Sequence, residues 1–226
     1  MKSKIEITGI IPVKAKSERV KNKNLRKFAD TNLYELKINQ LKNTKNFKEF
    51  LVSSEDQEIL KIAKKNGFQT HLRDPHYSTS HVPMSDVYSY IGTAAKTEHV
   101  AWINETNPLA EAEVYDKAVN IYTDNLEKKK NYDCLLSAIE SKENFFYKKK
   151  PINFKRSPWP RSQDLEPLIS LPFVINIMKR KDLIKWGSCV GKKPFFYVLD
   201  NILAKDIDNI EDFIFCETIF KNKQND

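Results

Sequence analysis

Apolar residues fall in short dense runs separated by charged loops, and the runs alternate between strand-like and helical spacing. Ile5, Ile7, Ile10, Ile11 and Val13 form the first run, a buried strand that Pro12 closes. Leu33, Leu36, Ile38 and Leu41 follow at helical spacing. Phe47, Phe50, Leu51 and Val52 read as a second strand. A second helix buries Ile59, Leu60, Ile62 and Ala63, with Ser54 and Gln57 as a capping box and Gly67 as its stop. Phe68 to Leu72 is a short third strand. This β–loop–α–β–α–β rhythm predicts a mostly parallel sheet with helices on its faces.

The rhythm continues. Arg73 to Ser85 is a polar, proline-containing loop, and Ser85 is placed to cap a helix through Val87, Tyr90 and Ile91. Val100 to Ile103 is a strand that leads into Asn104–Ala110. Val114, Ala118, Ile121, Tyr122 and Leu126 mark a long helix, which ends in the solvated charge run Glu127–Lys130. Strands are expected at Cys134–Ile139, Leu171–Met178, Phe195–Leu199 and Ile202–Ala204, with a short helix over Lys181–Trp186. Asn209 should cap a last helix carrying Ile210, Phe213, Ile214, Ile219 and Phe220. In open α/β sheets ligands bind beyond the carboxyl ends of the strands. The loops 10–24, 73–85 and 104–110 should therefore share one crevice.

One stretch breaks the pattern. Glu143 to Pro167 holds Phe145, Phe146, Tyr147, Phe154 and Trp159 among prolines and cations, with no clean period. It reads either as an arm packing on a second subunit or as a local flap.

The chain has 226 residues, enough for one α/β domain over 1–226, with the arm or flap at 143–170 inside it. The net charge of +8 favours anionic partners. The lysines are dispersed, with no arginine-rich arm, zinc-finger spacing or aromatic RNA-binding signature, so no nucleic-acid partner is expected. Cys134, Cys189 and Cys216 are far apart and form no ligand pattern, consistent with a reduced, cytoplasmic protein. Met1 to Gly9 has no apolar targeting core and no run approaches membrane-spanning length, so no membrane association is expected. Only 5 glycines are present, which excludes a dinucleotide fingerprint or a Walker loop. Any phosphate site must rely on side chains.

Two places suit that chemistry. Lys14, Lys16, Arg19, Lys21 and Lys23 follow the first strand and end at Asn24, a plausible polyphosphate cradle or simply a solvated basic loop. Asp206 and Asp208 flank Ile207; on a strand both carboxylates would face one side and suit Mg²⁺ shared with phosphate oxygens. The alternative is ordinary acidic capping of the last helix. The four histidines show no ligand spacing.

Read in order, these motifs resemble the acylneuraminate cytidylyltransferases (CMP–sialic acid synthetases) and, more distantly, the Kdo cytidylyltransferases. The family's opening I-P/A-x-R-x-x-S-K-x-x-x-x-K-N is similar to Ile11-Pro12-Val13-Lys14-Ala15-Lys16-Ser17-Glu18, closing on Lys23-Asn24. V-S-T-D resembles Val52-Ser53-Ser54-Glu55, and the R-P…S/T segment resembles Arg73–Ser85. Q-P-T-S-P-L-R is similar to Asn104-Glu105-Thr106-Asn107-Pro108-Leu109-Ala110, and Q-D-L-x-P to Gln163–Pro167. D-I-D-x-x-E-D-F stands intact at Asp206–Phe213.

The resemblance implies a Rossmann-like three-layer α/β/α fold of the nucleotide-diphospho-sugar transferase type with a protruding dimerisation arm, and a homodimer. It implies that CTP and a 2-keto-3-deoxy sugar acid (sialic, legionaminic, pseudaminic or Kdo-like) give a CMP-sugar and pyrophosphate, with Mg²⁺ as cofactor. By the same resemblance Lys14 and Lys23 act on the phosphates. Pro12, Ser17, Asn24, Arg73, Val82 and Ser85 line the nucleotide. Asn104, Thr106, Asn107 and Gln163 face the sugar, and Asp206 and Asp208 hold the metal.

The departures lie at Glu18, where the family has lysine, at Asn104 and Ala110, and at Leu171-Pro172-Phe173 in place of N-G-A. The nucleotide side is better kept than the sugar side. Other readings are a different nucleotide-sugar-forming nucleotidyltransferase, a glycosyltransferase using the DxD, or a weakly active nucleotide-binding paralogue. A glycosyltransferase usually carries that motif mid-chain, which argues against it here.

Overall fold

A computed structural model describes residues 5–17, 19–128 and 130–225. Glu18, Lys129, Asp226 and the opening Met1–Lys4 lie outside them, so the charge reversal at Glu18, one lysine of the 127–130 charge run and the start of the N-terminal segment are not placed.

The strands in order are β1 (Ile7–Pro12), β2 (Lys27–Phe28), β3 (Thr31–Asn32), β4 (Glu49–Ser54), β5 (Gln69–Leu72), β6 (His99–Trp102) and β7 (Cys134–Ser141). They continue as β8 (Phe146–Tyr147), β9 (Lys150–Pro151), β10 (Leu168–Ser170), β11 (Asn176–Lys179) and β12 (Pro194–Val198). The helices are α1 (Leu33–Lys42), α2 (Gln57–Lys65), α3 (Met84–Gly92), α4 (Ala112–Glu127), α5 (Arg180–Trp186) and α6 (Ile210–Asn225).

The main sheet runs β10-β7-β11-β6-β1-β4-β5, with β12 also paired to β7. β1 is central and parallel to both β4 and β6, while β11 and β10 run antiparallel. Parallel pairing brings the carboxyl ends of β1, β4 and β6 to one edge, as the rhythm of the sequence requires.

Alternation along the buried strands separates two cores. Ile7 and Ile11 of β1 face α1, α2 and α4. Ile10 faces the layer of α3 and α5, with Val87, Ile91 and Leu183. A third cluster, Val20, Phe28, Leu33, Ile207 and Phe213, packs α6 against the basic loop. The result is the expected α/β/α sandwich. Gly9 is required in β1 because the Phe50 ring lies where its Cβ would be, 2.5 Å away.

Several local expectations are corrected. Asp56, not Ser54, caps α2: its Oδ1 accepts from the amides of Glu58 (2.8 Å) and Ile59 (3.1 Å), because Ser54 is still the last residue of β4. Ser85 lies within α3, whose N-cap is Pro83 and carries no side-chain cap. The run Leu171–Met178 is not one strand. Pro172 and Phe173, the latter at φ 53°, break it, and pairing resumes only at Asn176. Ile202–Ala204 is a turn, held by Asp200 Oδ1 on the amides of Ile202 and Leu203. Gly67 stops α2 with φ 83°, and Asn209 caps α6 through the amide of Asp212 at 2.8 Å, both as expected.

Within the 143–170 segment β8 and β9 pair as a small hairpin, held by Asn153. Its Nδ2 donates to the carbonyls of Glu143 (2.7 Å) and Glu166 (3.1 Å). Phe146, Tyr147, Ile152 and Trp159 are exposed on it.

α1 carries an unexpected group. Lys37 is fully buried, donating to the Asn107 carbonyl at 2.9 Å and to the Tyr115 hydroxyl. Burial pulls its pKa from 10.5 down to about 7. Below pH 7 both folded and unfolded chains hold this proton, and the fold bears the desolvation cost. Between pH 7 and 10.5 only the unfolded chain holds it, so this contribution to stability rises with pH. Stability measured by denaturant titration should therefore climb from neutral to alkaline pH more steeply in the wild type than in Lys37→Met. Equal slopes would show that Lys37 titrates as an ordinary amine.

Candidate active site

A cleft of about 470 Å³ opens at the carboxyl ends of β1, β5 and β6. Three loops line it: the basic loop after β1, the Arg73–Ser80 segment after β5 and Asn104–Thr106 after β6. Residues 206–208 close the fourth side. The convergence anticipated from strand order is observed.

Ten of the expected site residues line this cleft: Pro12, Lys14, Ser17, Lys23, Asn24, Arg73, Asn104, Thr106, Asp206 and Asp208. Lys16 and Arg19 join them, and Lys21 does not. Asn24 is buried, and its amide donates to the Lys14 carbonyl at 2.9 Å, so it shapes the basic loop from inside. Lys23 donates to the Ile207 carbonyl, which fixes its ammonium beside Asp206. Arg73 is fully buried. It donates to the Ser53 hydroxyl (3.2 Å), the Val13 carbonyl (3.2 Å) and the Ser53 carbonyl, and so stands as a fixed cation behind the ends of β1 and β4.

Four expected residues lie elsewhere. Val82 packs into the core under α3, and Ser85 donates to Asp86 at 3.2 Å. Gln163 sits at the foot of the arm, where its carbonyl accepts from Lys142 at 3.0 Å. Asn107 is completely buried, and its Nδ2 donates to the carbonyls of Pro172 (3.2 Å) and Ala204 (3.1 Å). It clamps the site's walls and does not face the cleft.

The acidic pair does not lie on a strand, yet both carboxylates line the cleft. Thr106 Oγ1 donates to Asp206, and the Ile207 amide donates to the Thr106 carbonyl at 3.0 Å. Burial raises the Asp206 pKa; the Thr106 hydrogen bond and Lys23 oppose this, and Asp208 adds to it. Asp208 is half-exposed and pairs with Arg19 at 2.6 Å. Asp212, from the same motif, accepts the Asp208 amide at 3.1 Å and sets that turn. Among the described residues no group of three or more acidic, histidine or cysteine side chains could hold a metal alone. The two aspartates are hard oxygen donors facing the cations of the basic loop. They fit Mg²⁺ of the kind completed by phosphate oxygens and water.

Sequence reasoning missed several cleft residues. Ser78 and Ser80 belong to the loop that carries Arg73, and composition does not single them out. Met84, Val87, Tyr88, Trp102 and Phe173 give the cleft an apolar end, which reads from sequence as core. Glu55 is outside the lining and organises it. Its Oε1 accepts the Ala15 amide at 3.0 Å and its Oε2 accepts the Ser78 hydroxyl at 2.9 Å. One carboxylate thus joins two walls. Glu105 also faces the cleft, although it is almost fully buried.

A family model described as "Cytidylyltransferase" matches residues 8–160, from β1 into the 143–170 segment. The chain belongs to the cytidylyltransferase family. The match covers the basic loop and Asn104–Thr106 and ends before the aspartate pair. This cytidylyltransferase is 27% identical over 231 residues to "Post-translational flagellin modification protein B" of Campylobacter coli, covering 96% of each chain. It is 26% identical over 227 residues to "CMP-N,N'-diacetyllegionaminic acid synthase" of Campylobacter jejuni, again covering 96% of each. The solved structure of a CMP:2-keto-3-deoxy-manno-octonic acid synthetase complexed with CTP matches with a TM-score of 0.70 at 10% identity, over 96% of this chain and 99% of that one. At such low identity that likeness establishes the fold alone.

Glu55 supplies a test of this geometry. Glu55→Ala frees the Ala15 amide and the Ser78 hydroxyl, and should weaken CTP binding by roughly 3- to 30-fold in a calorimetric titration. Glu55→Gln keeps an acceptor for Ala15 and offers its amide to Ser78, so it should retain most of the affinity. Wild-type binding by Glu55→Ala would remove Glu55 from the account.

Proposed function

We propose that this cytidylyltransferase activates a 2-keto-3-deoxy sugar acid with CTP, giving a CMP-sugar and pyrophosphate. The observation that carries the reading is the meeting of the basic loop with Asp206 and Asp208 across one cleft. The cations neutralise a triphosphate, and the aspartates stand where its α-phosphate would meet an acceptor. The names of the curated relatives support a sugar acid of the legionaminic or pseudaminic kind.

In this mechanism the anomeric hydroxyl of the sugar acid attacks the α-phosphorus, and the bond to the pyrophosphate oxygen breaks. Lys14, Lys16 and Arg19 hold the triphosphate from the basic loop. Lys14 does so as a point charge, where an arginine would grip as a fork. Lys23, anchored on the Ile207 carbonyl, faces the charge that grows as pyrophosphate leaves. Ser17 donates to a phosphate oxygen. Arg73, Ser78 and Ser80 form the nucleotide wall, and Asn104 and Thr106 the acceptor wall. Asp206 and Asp208 would hold Mg²⁺, and the ion would supply charge neutralisation to the phosphates. Thr106 and Asp212 keep the two aspartates aimed into the cleft. Most of the catalysis asked of the protein is positioning and electrostatics.

The exposed aromatic residues of the arm support a homodimer in which Phe146, Tyr147 and Trp159 pack on the neighbouring subunit. Among the described residues, no helix is long and apolar enough to cross a membrane.

Pyrophosphate release from CTP should require both a sugar acid and Mg²⁺. Asp206→Asn and Asp208→Asn should each lower kcat by roughly 100-fold or more, while a spectroscopic melt shows the fold intact. Undiminished turnover by both variants, or full activity in excess chelator, would contradict the proposed roles.

A further inference from the structure

Glu105 has no place in that mechanism. It sits between Asn104 and Thr106 just past β6, lines the cleft, and is only 6% exposed. Its carboxylate accepts from its own backbone amide, and among the described residues no side-chain donor is hydrogen-bonded to it and no ion pair joins it. The cations that act on it through space, Lys23, Arg73 and the buried Lys37, are bonded to backbone carbonyls. A buried carboxylate whose one donor is its own backbone amide is costly to a fold unless something else supplies more.

The chemistry of the missing partner is constrained. A phosphate or carboxylate would be repelled. Among the described residues Glu105, Asp206 and Asp208 do not form a ready-made three-acid cation site. A neutral donor remains: a hydroxyl or an amide N–H. The wall decides which substrate brings it. Asn104, Glu105 and Thr106 are consecutive, and Thr106 holds Asp206, whereas Ser78 and Ser80 belong to the loop that follows β5. The motif that this segment resembles has proline at this position, which offers neither donor nor acceptor from its side chain.

We propose that Glu105 is a specificity-determining residue, accepting a hydrogen bond from a hydroxyl or amide N–H of the acceptor sugar acid. The inference rests on the reaction proposed above and adds a selection rule to it. Sugar acids with a donor at one ring or side-chain position are taken, and analogues lacking it are rejected.

The test compares wild type, Glu105→Gln and Glu105→Ala with CTP, Mg²⁺ and sugar acids that differ by single deoxy or deacylated positions. Both variants should raise KM for the best sugar acid by roughly 10- to 100-fold, with KM for CTP within about 3-fold of wild type. Glu105→Ala should also lose the wild type's discrimination against one analogue. The free variants should melt at or above the wild-type temperature, since an unpaired buried charge has been removed. Unchanged sugar KM in an active, folded variant overturns the proposal and leaves the reaction standing. So does an increase confined to the KM for CTP, or a marked fall in melting temperature with no change in discrimination. Failure of the wild type to turn over any of the sugar acids overturns the reaction itself.

Discussion

The short contact of Thr106 with Asp206 is the constraint on which the cleft depends. It fastens the segment before α6 to the loop after β6, two parts of the chain that are 100 residues apart. The Ile207 amide on the Thr106 carbonyl repeats the attachment, and Lys23 reaches the Ile207 carbonyl from the opposite wall. Asn107 continues it one residue on, binding the carbonyls of Pro172 and Ala204 from a fully buried position. Without these bonds the aspartates would belong to a surface turn. With them, two carboxylates are held against a basic loop. Such opposed charge attracts, as the Arg19–Asp208 pair shows, and presents a cationic wall to an anion and an acidic wall to a cation.

The cleft also shows how a phosphate site is made without glycine. A glycine-rich loop brings backbone amides close to phosphate. Here the basic loop is shaped from within by Asn24 on the Lys14 carbonyl, and from outside by Glu55 on the Ala15 amide. Side chains then deliver the charge: five cations line the cleft, Lys14, Lys16, Arg19, Lys23 and Arg73, against three carboxylates. Arg73 is buried and fixed, whereas Arg19 is exposed and free to exchange Asp208 for a ligand. Fixed charge sets the field, and mobile charge follows the substrate.

Much of this was legible in the residues. The alternation of strand and helix periods around Ile7–Pro12, Phe50–Val52 and Val100–Trp102 placed the parallel core, and strand order placed the cleft. The basic loop and the Asp-Ile-Asp motif were identified by composition and spacing. Other parts were not legible, for physical reasons. Asn107 and Gln163 stand in motif-like segments, but motif spacing does not say which way a side chain points. Asn107 turns inward because two carbonyls need a donor there. The strand expected at Ile202–Ala204 is apolar enough, yet Asp200 satisfies its amides locally and turns it. Lys37 reads as a surface lysine on α1, and only the approach of the Asn107 carbonyl and Tyr115 makes it a core residue. Glu55 and Glu105 also stand in motif-like segments, but spacing alone assigns neither a partner nor a role.

The central claim is that the cleft joins an acceptor hydroxyl to the α-phosphorus of CTP. Phosphorus NMR of a reaction containing CTP, Mg²⁺ and an N-acylated 2-keto-3-deoxy sugar acid tests it most directly. The account predicts that the three CTP resonances are replaced by a single sugar-linked phosphodiester signal and by pyrophosphate in equal amounts. Transfer of the terminal phosphate with appearance of CDP, or CTP left unchanged across a panel of such acids, would contradict it.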